Sequence, residues 1–96
     1  MIQYKKGSKR EYQTRNKLRK QGYNVLRAAG SHGVFDIVAI NSESVRLIQV
    51  KNCKKRLYID KGAERSIENF NCPDNCSKEI WVYVDYDREN PHIFKY

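Results

Sequence analysis

Between Phe35 and Lys51 the chain carries two short apolar runs, Phe35-Asp36-Ile37-Val38-Ala39-Ile40 and Leu47-Ile48-Gln49-Val50-Lys51, with Asn41-Ser42-Glu43-Ser44 just after the first. Short β-branched runs joined by a brief polar turn predict an antiparallel hairpin. A register that pairs Ile40 with Val45 sets Asp36 opposite Gln49. Lys51, two residues further on, projects to the same face. An acid, an amide and an amine therefore converge at the end of the hairpin away from its turn. Burying such groups unpaired costs on the order of several kcal/mol each. A divalent cation offsets that cost. The Asp36 carboxylate and the Gln49 amide oxygen suit Mg2+, with Mn2+ as a substitute, and Lys51 can orient an attacking water or contact a phosphate.

The rest of the chain supplies a small α/β frame. Ser8 reads as a helix N-cap, with Glu11 three residues on completing a capping box. A helix from about Lys9 to Gln21 follows, and Gly22 ends it. Strands are expected at Tyr23–Ala28, Phe35–Ile40 and Val45–Asn52. A second helix is expected from Asp60 to about Phe70, with Ala63, Ile67 and Phe70 on one face. Asn71–Ser77 reads as a loop, Ile80–Val84 as a strong strand, and His92–Phe94 as a short last strand after Pro91. The order is α-β-β-β-α-β-β, a central mixed sheet flanked by helices. At 96 residues the expectation is a single small domain over 1–96, with residues 1–7 as a basic N-terminal arm.

No apolar run approaches the ~20 residues needed to cross a bilayer, and the first six residues lack the apolar core of a signal peptide. The reading is a soluble cytoplasmic chain with no membrane partner. Three cysteines, Cys53, Cys72 and Cys76, make an odd number and argue against a disulfide framework. With His32 and His92 they show no zinc-site spacing.

The net charge of +8 is unevenly spread. Residues 1–20 hold eight Lys and Arg against one acid, Glu11. Residues 21–50 are neutral, 51–56 add Lys51, Lys54, Lys55 and Arg56, and 57–96 carry −3. Such segregation suits a polyanion. Lys5, Lys6, Lys9, Arg10, Lys54, Lys55 and Arg56 are the candidate nucleic-acid contacts, and His32, in the Gly30–Gly33 turn, is another. Tyr58, just after the second basic run, is the tyrosine best placed to touch DNA.

Asp, a spacer, and Gln-x-Lys on an adjoining strand resemble the PD-(D/E)XK nuclease superfamily. Lys6-Gly7-Ser8-Lys9-Arg10-Glu11, Gly22-Tyr23, Arg27-Ala28-Ala29-Gly30-Ser31, Asp36-Ile37-Val38-Ala39 and Gln49-Val50-Lys51 follow the order seen in archaeal-type Holliday junction resolvases. The resemblance implies a restriction-endonuclease-like fold and Mg2+-dependent cutting of branched DNA by a homodimer. It implies Glu11, Asp36, Gln49 and the Val50 carbonyl as metal ligands, Lys51 as the catalytic lysine, and Arg27 and Ser31 near the scissile phosphate. Phe35 stands where the motif has Pro, and Gln49 where the resolvases usually have Glu.

Two other readings of the same residues stay open at this point. The virus-type replication-repair nucleases use Gln at this position and act on flaps, single strands or duplexes. A chain with neutral Gln49 could also be a catalytically impaired DNA-binding module. Taken singly, Glu11 can be only a cap, Ser31 and His32 only turn residues, and the basic arm only a solvated face.

Overall fold

The computed structural model describes residues 6–28 and 33–96, with side chains from Lys9 onward. The elements are α1 (Lys6–Lys20), β1 (Asn24–Arg27), β2 (Ile37–Ile40), β3 (Val45–Cys53), α2 (Lys61–Glu68), β4 (Cys76–Val84) and β5 (Asp87–Lys95). The five strands form one sheet in the order β1-β2-β3-β4-β5. All pairings are antiparallel except β3 with β4. That parallel pair needs a crossover, and α2 supplies it.

The helix α1 ends as expected, but it starts earlier. Gly22 takes φ +96. Its N–H bonds to Arg19 O, and Tyr23 N–H bonds back to Leu18 O. This is a Schellman end, and Tyr23 packs on the core around Leu18. The helix includes Lys6, so Ser8 lies within it and is not its cap. Glu11 consequently sits a turn further in, released from capping. The buried face of α1 is Thr14 and Leu18, both 0 % exposed. Thr14 is tolerated there because Oγ1 bonds to Arg10 O (2.8 Å) and to the Tyr83 hydroxyl (2.7 Å).

Alternation along the strands separates two cores. Val25, Ile37, Ala39, Ile48, Val50, Trp81 and Tyr83 face Leu18 of α1. Cys53, Ile80, Val82 and Val84 face Ile67 of α2. Asp60 caps α2, its carboxylate accepting the N–H groups of Gly62 and Ala63. The α2 helix ends at Glu68, two residues before Phe70. Phe70 instead meets Phe35 edge-on at 5.1 Å. Two further boundaries differ from expectation. β4 begins at Cys76, where Val45 pairs with it across the parallel ladder. β5 is nine residues long and runs through Pro91. Proline is accommodated because β5 is an edge strand and the register shifts between Val82 and Val84.

Candidate active site

The hairpin has the register that its spacing predicts: Ile40 pairs with Val45 and Ile37 with Ile48. β2 begins only at Ile37, so Asp36 lies one residue beyond the regular ladder. Three bonds hold it there. Its N–H donates to Ile48 O at 2.9 Å, and its carbonyl accepts Ala28 N–H at 2.8 Å. Its Oδ2 accepts Val50 N–H at 2.8 Å. Asp36 thus ties β1 to β3 and leaves Oδ1 unused among the described residues.

Gln49 lies between the two β3 residues that Asp36 grips. Its Nε2 donates to Val34 O at 3.1 Å. Only the NH2 end can donate to a carbonyl, so this bond sets the orientation of the amide. Gln49 Oε1 is then buried with no hydrogen-bond partner. A buried orphan acceptor is costly and calls for an explanation. A hard cation is a partner of the right chemistry.

From the other side, α1 presents Glu11. Arg27 Nε donates to Glu11 Oε1 at 2.9 Å. The Arg27 guanidinium also lies 4.6 Å from the centre of the Tyr12 ring. Burial raises the Glu11 pKa, the charge of Asp36 raises it further, and Arg27 opposes both. Burial likewise raises the Asp36 pKa, against the Val50 N–H, Lys51 and Arg27. Two partly desolvated carboxylates therefore lie within each other's field, with Arg27 and Lys51 as the nearby cations. Among the described residues no three His, Cys, Asp or Glu side chains form a metal cage. A cation here would use a mixed donor set, two carboxylates with amide and peptide oxygens. The orphan Gln49 oxygen fits that set.

Asp36 thus lies within the field of Glu11, Arg27 and Lys51 and is bonded to Val50 N–H, and Gln49 stands on β3 next to that bond. Lys9, Lys51, Lys54, Lys55, Arg56 and Tyr58 are exposed, and Asn52 to Arg56 line a groove with Tyr58. Arg10 is more engaged than a free DNA contact. It donates to Asn52 Oδ1 (3.1 Å) and Gln13 Oε1 (2.8 Å), and Asn52 in turn donates to Asp85. Sequence reasoning did not reach this Arg10–Asn52–Asp85 bridge, because nothing in the spacing of three residues so far apart signals it. Lys5, Ser31 and His32, and the side chain of Lys6, lie outside the described residues.

The family model for the archaeal Holliday junction resolvase (Hjc) matches residues 2–96. The chain belongs to the archaeal Holliday junction resolvase family. Among solved structures, the chain is similar to that of Archaeoglobus fulgidus Hjc, a Holliday junction resolvase from an archaeal hyperthermophile. It matches at TM-score 0.75 and 25% identity, over 95% of this chain and 73% of that one. No curated protein sequence matches the chain. Family and fold agree with the nuclease architecture expected from Asp36 and Gln49-Val50-Lys51, and the virus-type and binding-only alternatives are not favoured.

Proposed function

We propose that this resolvase-family chain is a Mg2+-dependent, structure-selective endodeoxyribonuclease that hydrolyses phosphodiester bonds in four-way DNA junctions, with Mn2+ as a substitute. The observation that carries the reading is the buried, partnerless Oε1 of Gln49, on the β3 residue flanked by the two that Asp36 grips, together with the Asp36 charge felt by Glu11. Glu11, Asp36, Gln49 Oε1 and the Val50 carbonyl would hold the cation. When bound, it would lower the pKa of a water and stabilise charge on the phosphate. Asp36 positions β3 through Val50 N–H, which sets the direction in which Gln49 and Lys51 project. Lys51 orients the attacking water or contacts the phosphate, and it partly neutralises Asp36. Arg27, held by Glu11 and Tyr12, faces the scissile phosphate with Ser31. Lys5, Lys6, Lys9, Arg10, His32 and Lys54, Lys55, Arg56 contact the DNA backbone on either side.

A four-way junction offers two equivalent strands, so a homodimer is the natural assembly. No helix among the described residues is long and apolar enough to cross a membrane. One sheet with both helices packed on it supports a single domain, and a chain acting on DNA belongs in the cytoplasm. Cleavage of a synthetic four-way junction, a flap and a linear duplex, each with Mg2+ and with Mn2+, tests the reading. Metal-dependent cutting of the junction in preference to the others, lost in Asp36→Ala and Lys51→Ala, is expected. Equal cutting by wild type and both variants would falsify it.

A further inference from the structure

The nucleic-acid contacts considered so far surround the candidate site. The outer side of α1 extends the basic surface beyond Lys9. A groove runs along the helix, lined by Lys9, Gln13, Asn16 and Lys20, with Lys17 and Arg15 beside them. Lys9, Gln13, Asn16 and Lys20 are spaced four, three and four apart, which makes one stripe of a helix. Among the described residues no carboxylate is ion-paired with Lys9, Lys17 or Lys20. Glu89, on the opposite wall, is the acid that lines the groove, and it pairs with none of them.

Helix chemistry explains only part of this. Lys17 and Lys20 lie in the last turn, where cations favour the helix dipole by a few tenths of a kcal/mol. They are also three residues apart, a spacing at which like charges repel by a similar amount. The dipole does not account for Lys9 or for a groove between the cations.

Tyr12, which also lines the groove, connects it to the candidate site. The Tyr12 ring is flanked by two guanidinium groups, Arg27 at 4.6 Å and Arg15 at 4.7 Å. Arg27 belongs to the site and Arg15 to the groove. From Lys9 to Lys20 the helix rises about 16 Å. That matches about five base pairs of duplex at 3.4 Å each. Gln13 Nε2 is held by Arg88 O at 2.6 Å, so the Asn16 NH2 is the amide donor that adds a polar partner for phosphate oxygens, and the groove has no large aliphatic side chain to enter lipid.

We infer that the outer groove of α1 is a track for the sugar-phosphate backbone of the duplex arm leaving the cleavage site, with Lys17 and Lys20 contacting phosphates about three to five base pairs away. The inference rests on the proposed junction-cleaving activity and adds where the uncut arm lies.

The test uses the full chain and synthetic four-way junctions, with Ca2+ in place of Mg2+ so that binding is read without cutting. Affinity is measured against salt for wild type, for Lys17→Gln/Lys20→Gln, and for Lys17→Arg/Lys20→Arg. Each is tested on an intact junction and on one with neutral methylphosphonates three to five base pairs from the cleavage position. The Gln variant is expected to lose on the order of tenfold in affinity on the intact junction, with a salt slope shallower by about one unit per lost phosphate contact. The Arg variant keeps wild-type binding. On the neutralised junction the Gln variant and wild type bind alike. Losses that add on the neutralised junction, or a Gln variant with wild-type affinity and slope, overturn the track while leaving the nuclease reading intact. A wild-type chain that binds no junction overturns both.

Discussion

Asp36 Oδ2 accepts the backbone N–H of Val50 at 2.8 Å, where a regular hairpin would use a backbone carbonyl. A side chain thereby finishes the β2–β3 ladder. One carboxylate oxygen is spent on the sheet, and the other stays available. Because Asp36 N–H also holds Ile48 O, Gln49 is fixed between two anchored neighbours. The same contact that closes the sheet therefore aims the candidate ligands.

Asp36→Asn separates these two roles. The amide oxygen can still accept Val50 N–H, so the fold should hold. Burial raises the Asp36 pKa in the folded state. A raised folded pKa adds stability below the unfolded value near 3.8 and loses it as pH rises through the folded value. Near neutral pH the aspartate is thus a net burden without metal, and the Asn variant should melt at the same or a higher temperature. Junction cleavage should fall by roughly 10²–10³-fold or more, the scale for removing a main charge-stabilising group. A scanning melt and a cleavage time course check the two halves.

Gln49→Glu tests the orphan oxygen. The substitution adds a negative charge, so half-maximal cleavage should need less Mg2+. It also removes the Nε2 donor to Val34 O and sets a carboxylate against that carbonyl. In EDTA the variant should lose about 1–3 kcal/mol of stability, the cost of an unsatisfied buried acceptor. Added Mg2+ should restore much of it. A variant as stable as wild type in EDTA would show that the Val34 contact contributes little.

Acidification should inactivate the enzyme before it unfolds it. Burial and mutual repulsion raise the Glu11 pKa, and burial raises that of Asp36. Protons therefore compete with the cation above the ordinary carboxylate range. Cleavage at fixed, subsaturating Mg2+ should drop as pH falls towards that raised range, and higher Mg2+ should shift the drop to lower pH. A pH–rate profile insensitive to Mg2+ concentration would contradict this.

Glu79 and Arg46 carry a different pH dependence. Glu79 is 0 % exposed and takes a bidentate pair from Arg46, at 2.7 and 2.8 Å, plus the Ser77 hydroxyl and Trp81 N–H. Burial pushes its pKa up, but Arg46, Trp81 and Ser77 outweigh that and hold it below 4.5. A lowered folded pKa gives stability that is full above the unfolded value and fades as pH falls below it. Arg46→Leu should cost about 3–5 kcal/mol at pH 7, since it strands a buried carboxylate. The loss should shrink below pH 4.5, where Glu79 can be protonated in both states. Urea melts across that range measure it.

Local pattern was enough for the hairpin, its register and the Gly22 helix end. A two-residue period and a positive-φ glycine act over a few residues, so the sequence shows them directly. It was not enough for the start of α1, because Ser8 and Glu11 satisfy a capping rule that the helix does not use. Nor did it reveal the length of β5, where an edge position tolerates Pro91. Nor does local pattern mark Thr14 as part of the core face of α1. Thr14 is buried only because the Tyr83 hydroxyl, far along the chain, meets it.

By itself the sequence determined the cast of the candidate site: Asp36 and Gln49-Val50-Lys51 at the end of one hairpin, among basic segments suited to DNA. Hydrophobic alternation and charge are local properties, and they suffice for that. Only the tertiary structure decided that Glu11 faces Arg27 and Asp36 rather than capping a helix, and that Gln49 turns its oxygen into a buried space without a donor. Both depend on how α1 lies across the sheet and on where the Val34 carbonyl points. Those are packing outcomes, set by contacts between residues far apart in the chain.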